Sequence, residues 1–138
     1  MQDRNPPTTV PRTIGRVLFA LVFVAAGIYH FLEPLGFAAL LPHFLPLLLR
    51  EWVIWITGVV EWILAILLFV PRIRKLTGLI ITIYLIAIFP ANIYAAIFHI
   101  PGPGPADTPP IFLWLRLLAQ PLLIWWILWA TRPPKNQR

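Results

Sequence analysis

The chain has 138 residues, of which 59% are hydrophobic and 12% are charged, and its formal net charge at pH 7 is +6. Soluble domains carry about 25% charged residues, so this composition indicates a membrane protein. The basic residues cluster at the ends of apolar segments instead of forming a patch on a soluble fold, which argues against nucleic-acid binding. The sequence contains no cysteine. Thiol–disulfide chemistry, iron–sulfur clusters and thiolate zinc sites are therefore excluded within the chain.

Four apolar segments have the length of roughly 20 residues that a membrane-spanning helix requires. In chain order they cover residues 13–32, 51–70, 76–98 and 110–131. We favour a retained first helix over a cleaved signal peptide, because the apolar run continues to Leu32. The expected fold is an all-α integral membrane four-helix bundle over residues 11–132. The N-terminal tail, residues 1–10, and the C-terminal tail, residues 133–138, are expected to be disordered.

The segment between the first two spans, residues 33–46, is apolar but too short and too rich in proline to cross a bilayer. We expect it to lie in the membrane interface or to enter the bilayer as a short re-entrant turn. The sequence PGPGP at residues 101–105 predicts an extended loop between the last two spans.

The distribution of basic residues predicts the orientation in the membrane. The two tails and the loop between the second and third spans carry nine of them: Arg4, Arg12, Arg16, Arg72, Arg74, Lys75, Arg132, Lys135 and Arg138. The other two loops carry only Arg50. Both termini are therefore expected in the cytoplasm. Tryptophans near the ends of the spans, including Trp125, Trp126 and Trp129, are interpreted as anchors in the membrane interface.

Two charges inside the predicted spans need an explanation, because an ionised side chain in hydrocarbon costs about 2.5–3.5 kcal/mol on insertion scales. Arg116 lies in the fourth span and Glu61 in the second. At about 1.5 Å of rise per residue, the two fall at similar depths, so the side chains are within reach of each other. Three interpretations are open: an ion pair that fixes the helix register, the lining of a ligand pocket, and no contact between the two side chains.

Further polar residues fall in the half of the membrane that the two proline-rich loops face. His30 is near the end of the first span, Asn92 follows Pro90 in the third, and Gln120 lies one turn beyond Arg116. With Glu61 and Arg116 they form a candidate ligand site, for which we predict no metal. A haem held by His30 and His99 is a weakly supported alternative.

Four short motifs resemble those of the DoxX and DoxX-like family of small four-helix membrane proteins. They are GIYHFLEP at residues 27–34, TGVVE at 57–61, FPANIY at 89–94 and RLLAQ at 116–120. They contain all five candidate residues: His30, Glu61, Asn92, Arg116 and Gln120. The last motif departs from the family, in which we expect a proline between the arginine and the glutamine, whereas here Pro121 follows Gln120.

The resemblance implies a multi-pass protein of the cell membrane, here the bacterial inner membrane. One branch of that family contributes a subunit to a thiosulfate:quinone oxidoreductase, and a related group acts as chaperones for membrane receptors. The first functional hypothesis is therefore an accessory or subunit of a membrane redox system that binds quinone or another small amphiphile in an outward-facing polar pocket. The alternative is a non-enzymatic scaffold or assembly chaperone with a structural polar cluster. A transporter ranks last, because four helices without an inverted repeat are few for alternating access. Besides the lipid bilayer, the expected partner is another membrane protein or a second copy of the chain.

Overall fold

The computed structural model describes residues 7–104 and 108–135, and this part of the chain is all-helical, without a strand. The helices are listed here in chain order: α1 Val10–Leu32, α2 Pro34–Ala38, α3 Leu47–Leu67, α4 Arg74–Ile97 and α5 Ile111–Thr131. The four long helices fall on the four predicted spans, and their ends differ from the predicted ones by up to four residues. The tail predictions for residues 1–6 and 136–138 lie outside the described residues.

Three helices are long and apolar enough to cross a membrane: Val10–Leu32, Arg74–Ile97 and Ile111–Thr131. Large apolar side chains are exposed along them, as on Leu118 and Leu122, which are 66% and 67% exposed. Such surfaces are unfavourable in water and favourable against lipid. The chain is therefore a membrane protein by the length and composition of its helices. The remaining long helix, α3, carries three charged residues, Arg50, Glu51 and Glu61.

Prolines set several helix ends. Pro11 lies in the first turn of α1, and Pro34 in the first turn of α2, where the missing amide hydrogen costs nothing. Pro46 precedes α3 with an extended backbone, so this helix begins at Leu47, four residues before the predicted start. Pro90 and Pro121 lie inside α4 and α5.

The long helices pair in chain order. α1 packs most extensively on α3, and α4 packs on α5, while α2 lies on α3. The two pairs meet mainly through α1 and α5. The start of α1, the end of α5 and the α3–α4 turn lie at one end of the molecule, which we call the basic end. The α1–α3 segment and the α4–α5 loop lie at the other, which we call the proline-rich end.

Small residues allow the close helix contacts. A Cβ atom at Gly27 of α1 would lie 2.8 Å from the backbone oxygen of Gly58 in α3. A Cβ atom at Gly78 of α4 would overlap the side chain of Thr131 in α5. Both pairs of helices therefore approach so closely that a side chain larger than that of glycine is excluded at Gly27 and Gly78.

The apolar core is divided into two clusters. The larger lies towards the basic end and contains Phe19, Phe23, Leu64, Leu68, Ile81, Leu85 and Ile127. The smaller lies towards the proline-rich end and contains Leu40, Ala95, Ala96 and Leu113. Along α4, Asn92 falls between the last residue of the first cluster and the first of the second. This interval between the two clusters is where the polar side chains collect.

The basic end is held by hydrogen bonds between α1 and the end of α5. The guanidinium of Arg16, which is 3% exposed, donates to the backbone oxygen of Ala130 at 2.8 Å. Arg12 donates to the backbone oxygens of Trp129 and Arg132. These arginines therefore satisfy carbonyl groups that a helix C-terminus leaves without partners.

Trp126 joins α5 to α1. Its indole nitrogen donates to the backbone oxygen of Gly15 at 3.0 Å, and its ring packs edge-on against Phe19. Trp125, in contrast, is 66% exposed, as an anchor in the interface would be. A tryptophan near a span end is compatible with either role, because its apolar ring and its N–H donor serve both equally.

Candidate functional site

A cavity of about 120 Å³ lies among the long helices and α2. Four of the five predicted site residues line it, each from a different helix: His30 from α1, Glu61 from α3, Asn92 from α4 and Arg116 from α5. Gln120 does not line the cavity. It is buried one turn further along α5, and its Oε1 atom has no hydrogen-bond partner in the described part of the chain.

Glu61 is the most buried acid of the cavity, with 5% of its surface exposed. Its Oε1 atom accepts a hydrogen bond of 2.7 Å from the hydroxyl of Tyr84. The Nε2 atom of His30 lies 3.9 Å from the same oxygen. The other oxygen, Oε2, has no partner among residues 7–104 and 108–135. A buried acceptor without a partner costs about 1–3 kcal/mol, so this atom is available to a ligand that donates a hydrogen bond.

His30 is oriented by α3. Its Nδ1 atom lies 3.2 Å from the backbone oxygen of Ile54 and 3.2 Å from Oγ1 of Thr57. A carbonyl oxygen only accepts, so the contact with Ile54 requires a proton on Nδ1. Nε2 then points towards Glu61. The imidazole ring also packs against Phe37, whose ring centroid lies 4.1 Å away.

The ion pair suggested by the sequence does not form. Among the residues that the structure describes, Glu61 lies 3.9 Å from Nε2 of His30 and makes no ion-pair contact with Arg116. The ion pair was predicted from the depths of the two residues along their helices. Depth alone does not fix the direction in which a side chain leaves its helix. Glu61 and Arg116 share a cavity, and the acid takes its hydrogen bond from Tyr84 instead.

Arg116 separates this cavity from a second, open space. A groove of about 500 Å³ runs along the outer side of α5 between Tyr29, Phe112 and the loop prolines Pro101 and Pro103. Phe37 and Arg116 line both the groove and the cavity. The small polar space and the large apolar one are therefore neighbours that have two side chains in common as walls.

The proline loop reaches this arginine through a glycine. Gly102 has a φ angle of +72°, and a Cβ atom there would lie 2.9 Å from Nη1 of Arg116. Only glycine adopts this backbone conformation readily and leaves room for the guanidinium. Gly36 gives α2 a similar close contact with Pro103. The loop thus packs over the edge of the groove.

The groove lies at the proline-rich end, between residues of α1, α2, α5 and the proline loop. At the basic end, α1 and α5 are joined through Gly15 and Arg16. At the other end, Tyr29 of α1 and Phe112 of α5 stand on opposite walls of the groove. A second open apolar space of about 470 Å³ follows α1 past Tyr29 and is lined by Ala25, Ile28 and Leu32. Arg116 therefore borders an open and mostly apolar groove.

Two residues of the site were missed by the sequence analysis. Tyr84 was not singled out, although a tyrosine in the middle of an apolar helix needs a partner for its hydroxyl. Phe37 was read only as part of a connecting segment. Tyr94 and Trp114, two further aromatic residues of α4 and α5, lie outside the site. The ring of Tyr94 packs on Phe98, and Trp114 lines neither the cavity nor the groove.

The chemistry of the cavity is that of hydrogen bonding and proton exchange. Arg116 and Asn92 supply donors, Glu61 an unpaired acceptor, and His30 a ring nitrogen. Within the described ranges, no three or more His, Asp or Glu side chains cluster in a way that would hold a metal ion. His99 is exposed at the end of α4 and does not line this cavity, so the structure does not bring the two histidines of the haem alternative together there.

Comparison with known proteins gives one family. Residues 19–131 match the model of a family described as a domain of unknown function (DUF8561). The resemblance to the DoxX family is therefore wrong. Its four motifs are short, and small and aromatic residues beside a buried polar group recur wherever membrane helices pack closely. Comparison with curated proteins and with solved structures gives no match.

Proposed function

Since the chain belongs to the family described as a domain of unknown function (DUF8561), we propose a function from the site itself. The protein binds a small amphiphile, with its polar head in the cavity beside Arg116 and its apolar part in the adjoining groove. The favoured class of ligand is a quinone-like molecule. The chain then acts as an accessory or subunit of a membrane redox system, and a partner protein supplies the electron-transfer group.

In this proposal all four long helices cross the membrane as a bundle, with both termini in the cytoplasm. Three of them have the required length and apolar character. In α3, Arg50 and Glu51 lie in the first turns, where a span meets the interface, and Glu61 faces the protein interior. The concentration of basic residues at the end that carries the termini supports the orientation. We place the protein in the cell membrane, in bacteria the inner membrane.

The observation that carries the proposal is the pair of neighbouring spaces that share Phe37 and Arg116. The cavity of about 120 Å³ is smaller than the roughly 300–1,000 Å³ of a typical ligand pocket. It is close to the roughly 150 Å³ of an engineered cavity that takes one benzene ring. The groove of about 500 Å³ has the size that the rest of an amphiphile needs.

Each polar group has a role towards such a head group. Arg116 and Asn92 donate hydrogen bonds to a carbonyl oxygen, and Arg116 also favours negative charge on a reduced ring. Oε2 of Glu61 accepts a hydrogen bond from a ring hydroxyl. His30 and Tyr84 flank the other oxygen of Glu61, so a proton can be passed within this group. The oxidised form of a quinone has carbonyl oxygens where the reduced form has hydroxyl groups. The cavity offers hydrogen-bond partners for both forms.

Binding is tested by tryptophan quenching with a short-chain quinone in purified, detergent-solubilised protein. We expect saturable quenching in the wild type and a loss of roughly tenfold or more in affinity for Arg116→Leu, because a hydrogen bond to a charged group contributes about 1.5–3 kcal/mol. Gln120→Leu is the matched control on the same helix, since Gln120 is buried but does not line the cavity. Equal quenching curves for wild type and Arg116→Leu would contradict the proposal.

A scaffold or assembly factor is the second candidate, and one observation favours it. The polar contacts join helices to each other: His30 of α1 bonds to α3, and Tyr84 of α4 bonds to Glu61 of α3. In that case the cluster holds the helices, and the apolar outer faces bind another membrane protein or a second copy. Affinity purification in several mild detergents should then recover a stoichiometric partner, and normal recovery by Arg116→Leu would separate this role from ligand binding.

A further inference from the structure

The basic end has an excess of positive charge that the described side chains at that end do not balance. Seven basic residues lie there in the described part of the chain: Arg12, Arg16, Arg72, Arg74, Lys75, Arg132 and Lys135. The carboxylates that the structure describes are Glu33, Glu51 and Glu61, which lie at the proline-rich end or in the middle of α3. The negative charge that balances these cations therefore comes from outside the described residues.

Four of these cations line one groove. It has a volume of about 640 Å³ and lies where the start of α1, the start of α4 and the end of α5 come together. Arg12, Lys75, Arg132 and Lys135 line it, together with the indole rings of Trp125 and Trp129. The cations come from distant parts of the sequence, so the fold itself brings them together.

One of the four cations is fixed in place. The guanidinium of Arg12 lies 5.3 Å from the centre of the Trp129 ring and donates to the backbone oxygen of Arg132 at 2.7 Å. The side chains of Lys75, Arg132 and Lys135 are exposed around it. A held arginine beside three exposed cations offers one anion several donors without a large rearrangement of the backbone.

The aromatic wall distinguishes this groove from a site for a soluble anion. The rings of Trp125 and Trp129 are stacked within 11° of parallel, with centroids 6.2 Å apart. Tryptophan rings are typical of the membrane interface, where head groups and acyl chains meet. The groove thus has cations for a phosphate and an apolar surface for the chain attached to it.

We propose that this groove is a binding site for the phosphate group of an anionic phospholipid in the leaflet at the basic end. The phosphate lies among Arg12, Lys75, Arg132 and Lys135, and the glycerol and first acyl carbons lie along Trp125 and Trp129. Clusters of basic residues at the cytoplasmic end of membrane helices bind anionic lipids in this manner. This site is separate from the polar cavity and does not depend on the proposed ligand there.

The test uses the full-length chain in a neutral detergent, titrated with short-chain phosphatidylglycerol, phosphatidylcholine or inorganic phosphate. Binding is followed by lipid retention in native mass spectrometry and by the thermal unfolding midpoint. We expect phosphatidylglycerol to be retained and to raise the midpoint, and the other two to do neither. The variant Lys75→Gln/Arg132→Gln/Lys135→Gln should lose roughly a hundredfold in affinity, at about fivefold for each charge near the surface.

Arg72→Gln is the matched control, because Arg72 is an exposed cation of the same end that does not line the groove. It should retain phosphatidylglycerol within about twofold of the wild type. Three results would overturn the proposal. They are unchanged retention by the triple variant, an equal loss in Arg72→Gln, and stabilisation by inorganic phosphate as strong as that by the lipid. If the triple variant unfolds, Lys135→Gln alone replaces it, because Lys135 lies beyond the end of α5. Its affinity for phosphatidylglycerol should still fall about fivefold.

Discussion

The hydroxyl of Tyr84 in α4 donates a 2.7 Å hydrogen bond to Oε1 of Glu61 in α3. This contact joins the two helix pairs at a place where α3 and α4 otherwise make few contacts. It also fixes one oxygen of the carboxylate, because Oε1 is held by Tyr84, while Oε2 stays buried without a partner among the described residues. One hydrogen bond thus serves both the packing of the helices and the polar character of the site.

Removal of this bond gives the first prediction. Tyr84→Phe should lower the free energy of unfolding by about 1–3 kcal/mol, since it leaves a buried carboxylate oxygen without its donor. The measurement is denaturant unfolding in detergent. Tyr94→Phe is the matched control, because Tyr94 is on the same helix and its ring packs on Phe98 outside the cavity. Equal losses in the two variants would show that the hydroxyl of Tyr84 contributes nothing through Glu61.

The second prediction compares two pairs of residues by double-mutant cycles. Tyr84→Phe and Glu61→Gln should show a coupling energy of at least about 0.5 kcal/mol, because the two side chains are in contact. Glu61→Gln and Arg116→Leu should show a smaller coupling, because they share the cavity without an ion-pair contact in the described structure. A coupling energy for Glu61 and Arg116 that exceeds the one for Tyr84 and Glu61 would show that the predicted ion pair forms after all.

The sequence predicted the positions of the four long helices, because a span of about 20 apolar residues is a requirement of the membrane and is visible in any single sequence. It also predicted that His30, Glu61, Asn92 and Arg116 would come together. Polar residues in an apolar helix are costly when they face lipid. They therefore point inwards, and four helices that point polar groups inwards at similar depths bring them to one place.

The sequence did not predict the partners within the site. Tyr84 donates a hydrogen bond to the carboxylate of Glu61, for which Arg116 was the predicted partner. The choice of partner depends on the rotation of each helix about its axis and on side-chain direction. Phe37 was missed for a related reason. It lies on the five-residue helix α2, and the position of so short an element is set by packing on α3, which leaves no periodic pattern in the sequence.

The third prediction concerns the crossing of α1 and α3. Alanine raises the helix propensity at either Gly27 or Gly58 by up to about 1 kcal/mol. At Gly27 the new Cβ atom would lie 2.8 Å from the backbone oxygen of Gly58, which cannot move alone. At Gly58 the new Cβ atom would lie 3.1 Å from side-chain carbons of His30 and Phe31, a smaller overlap. Gly27→Ala should therefore lower the unfolding midpoint, and Gly58→Ala should change it less.

Thermal unfolding of both variants in the same detergent checks this order. A mutant in which the helices separate should also weaken the bond from the Trp62 indole to the backbone oxygen of Val24, which is 3.1 Å long and spans the same crossing. A shift in tryptophan emission is thus expected for Gly27→Ala. The reverse order of stability would show that the crossing at Gly27 has more room for a Cβ atom than the structure indicates.

The last prediction concerns the arginines at the basic end. Arg16 is buried and donates to the backbone oxygen of Ala130, to Thr8 at 3.0 Å and to Thr13 at 2.9 Å. Arg16→Gln cannot span these acceptors, and it leaves the carbonyl of Ala130 at the end of α5 without its donor. The expected loss is about 1–3 kcal/mol in the free energy of unfolding. Arg72→Gln removes an exposed cation of the same end and should change stability by less than about 0.5 kcal/mol.

The contrast between these two variants separates hydrogen bonding from net charge. Both lower the positive charge of the basic end by one, so an effect of charge repulsion would be similar in the two. A hydrogen-bonding role for Arg16 predicts a large loss in Arg16→Gln alone, and the loss should persist at high salt because buried bonds are screened little. Denaturant unfolding at low and high salt measures both quantities. Relief of charge repulsion would instead raise the stability of both variants, so an unchanged or higher stability of Arg16→Gln would contradict the hydrogen-bonding role, and α5 would then need another contact to hold its end against α1.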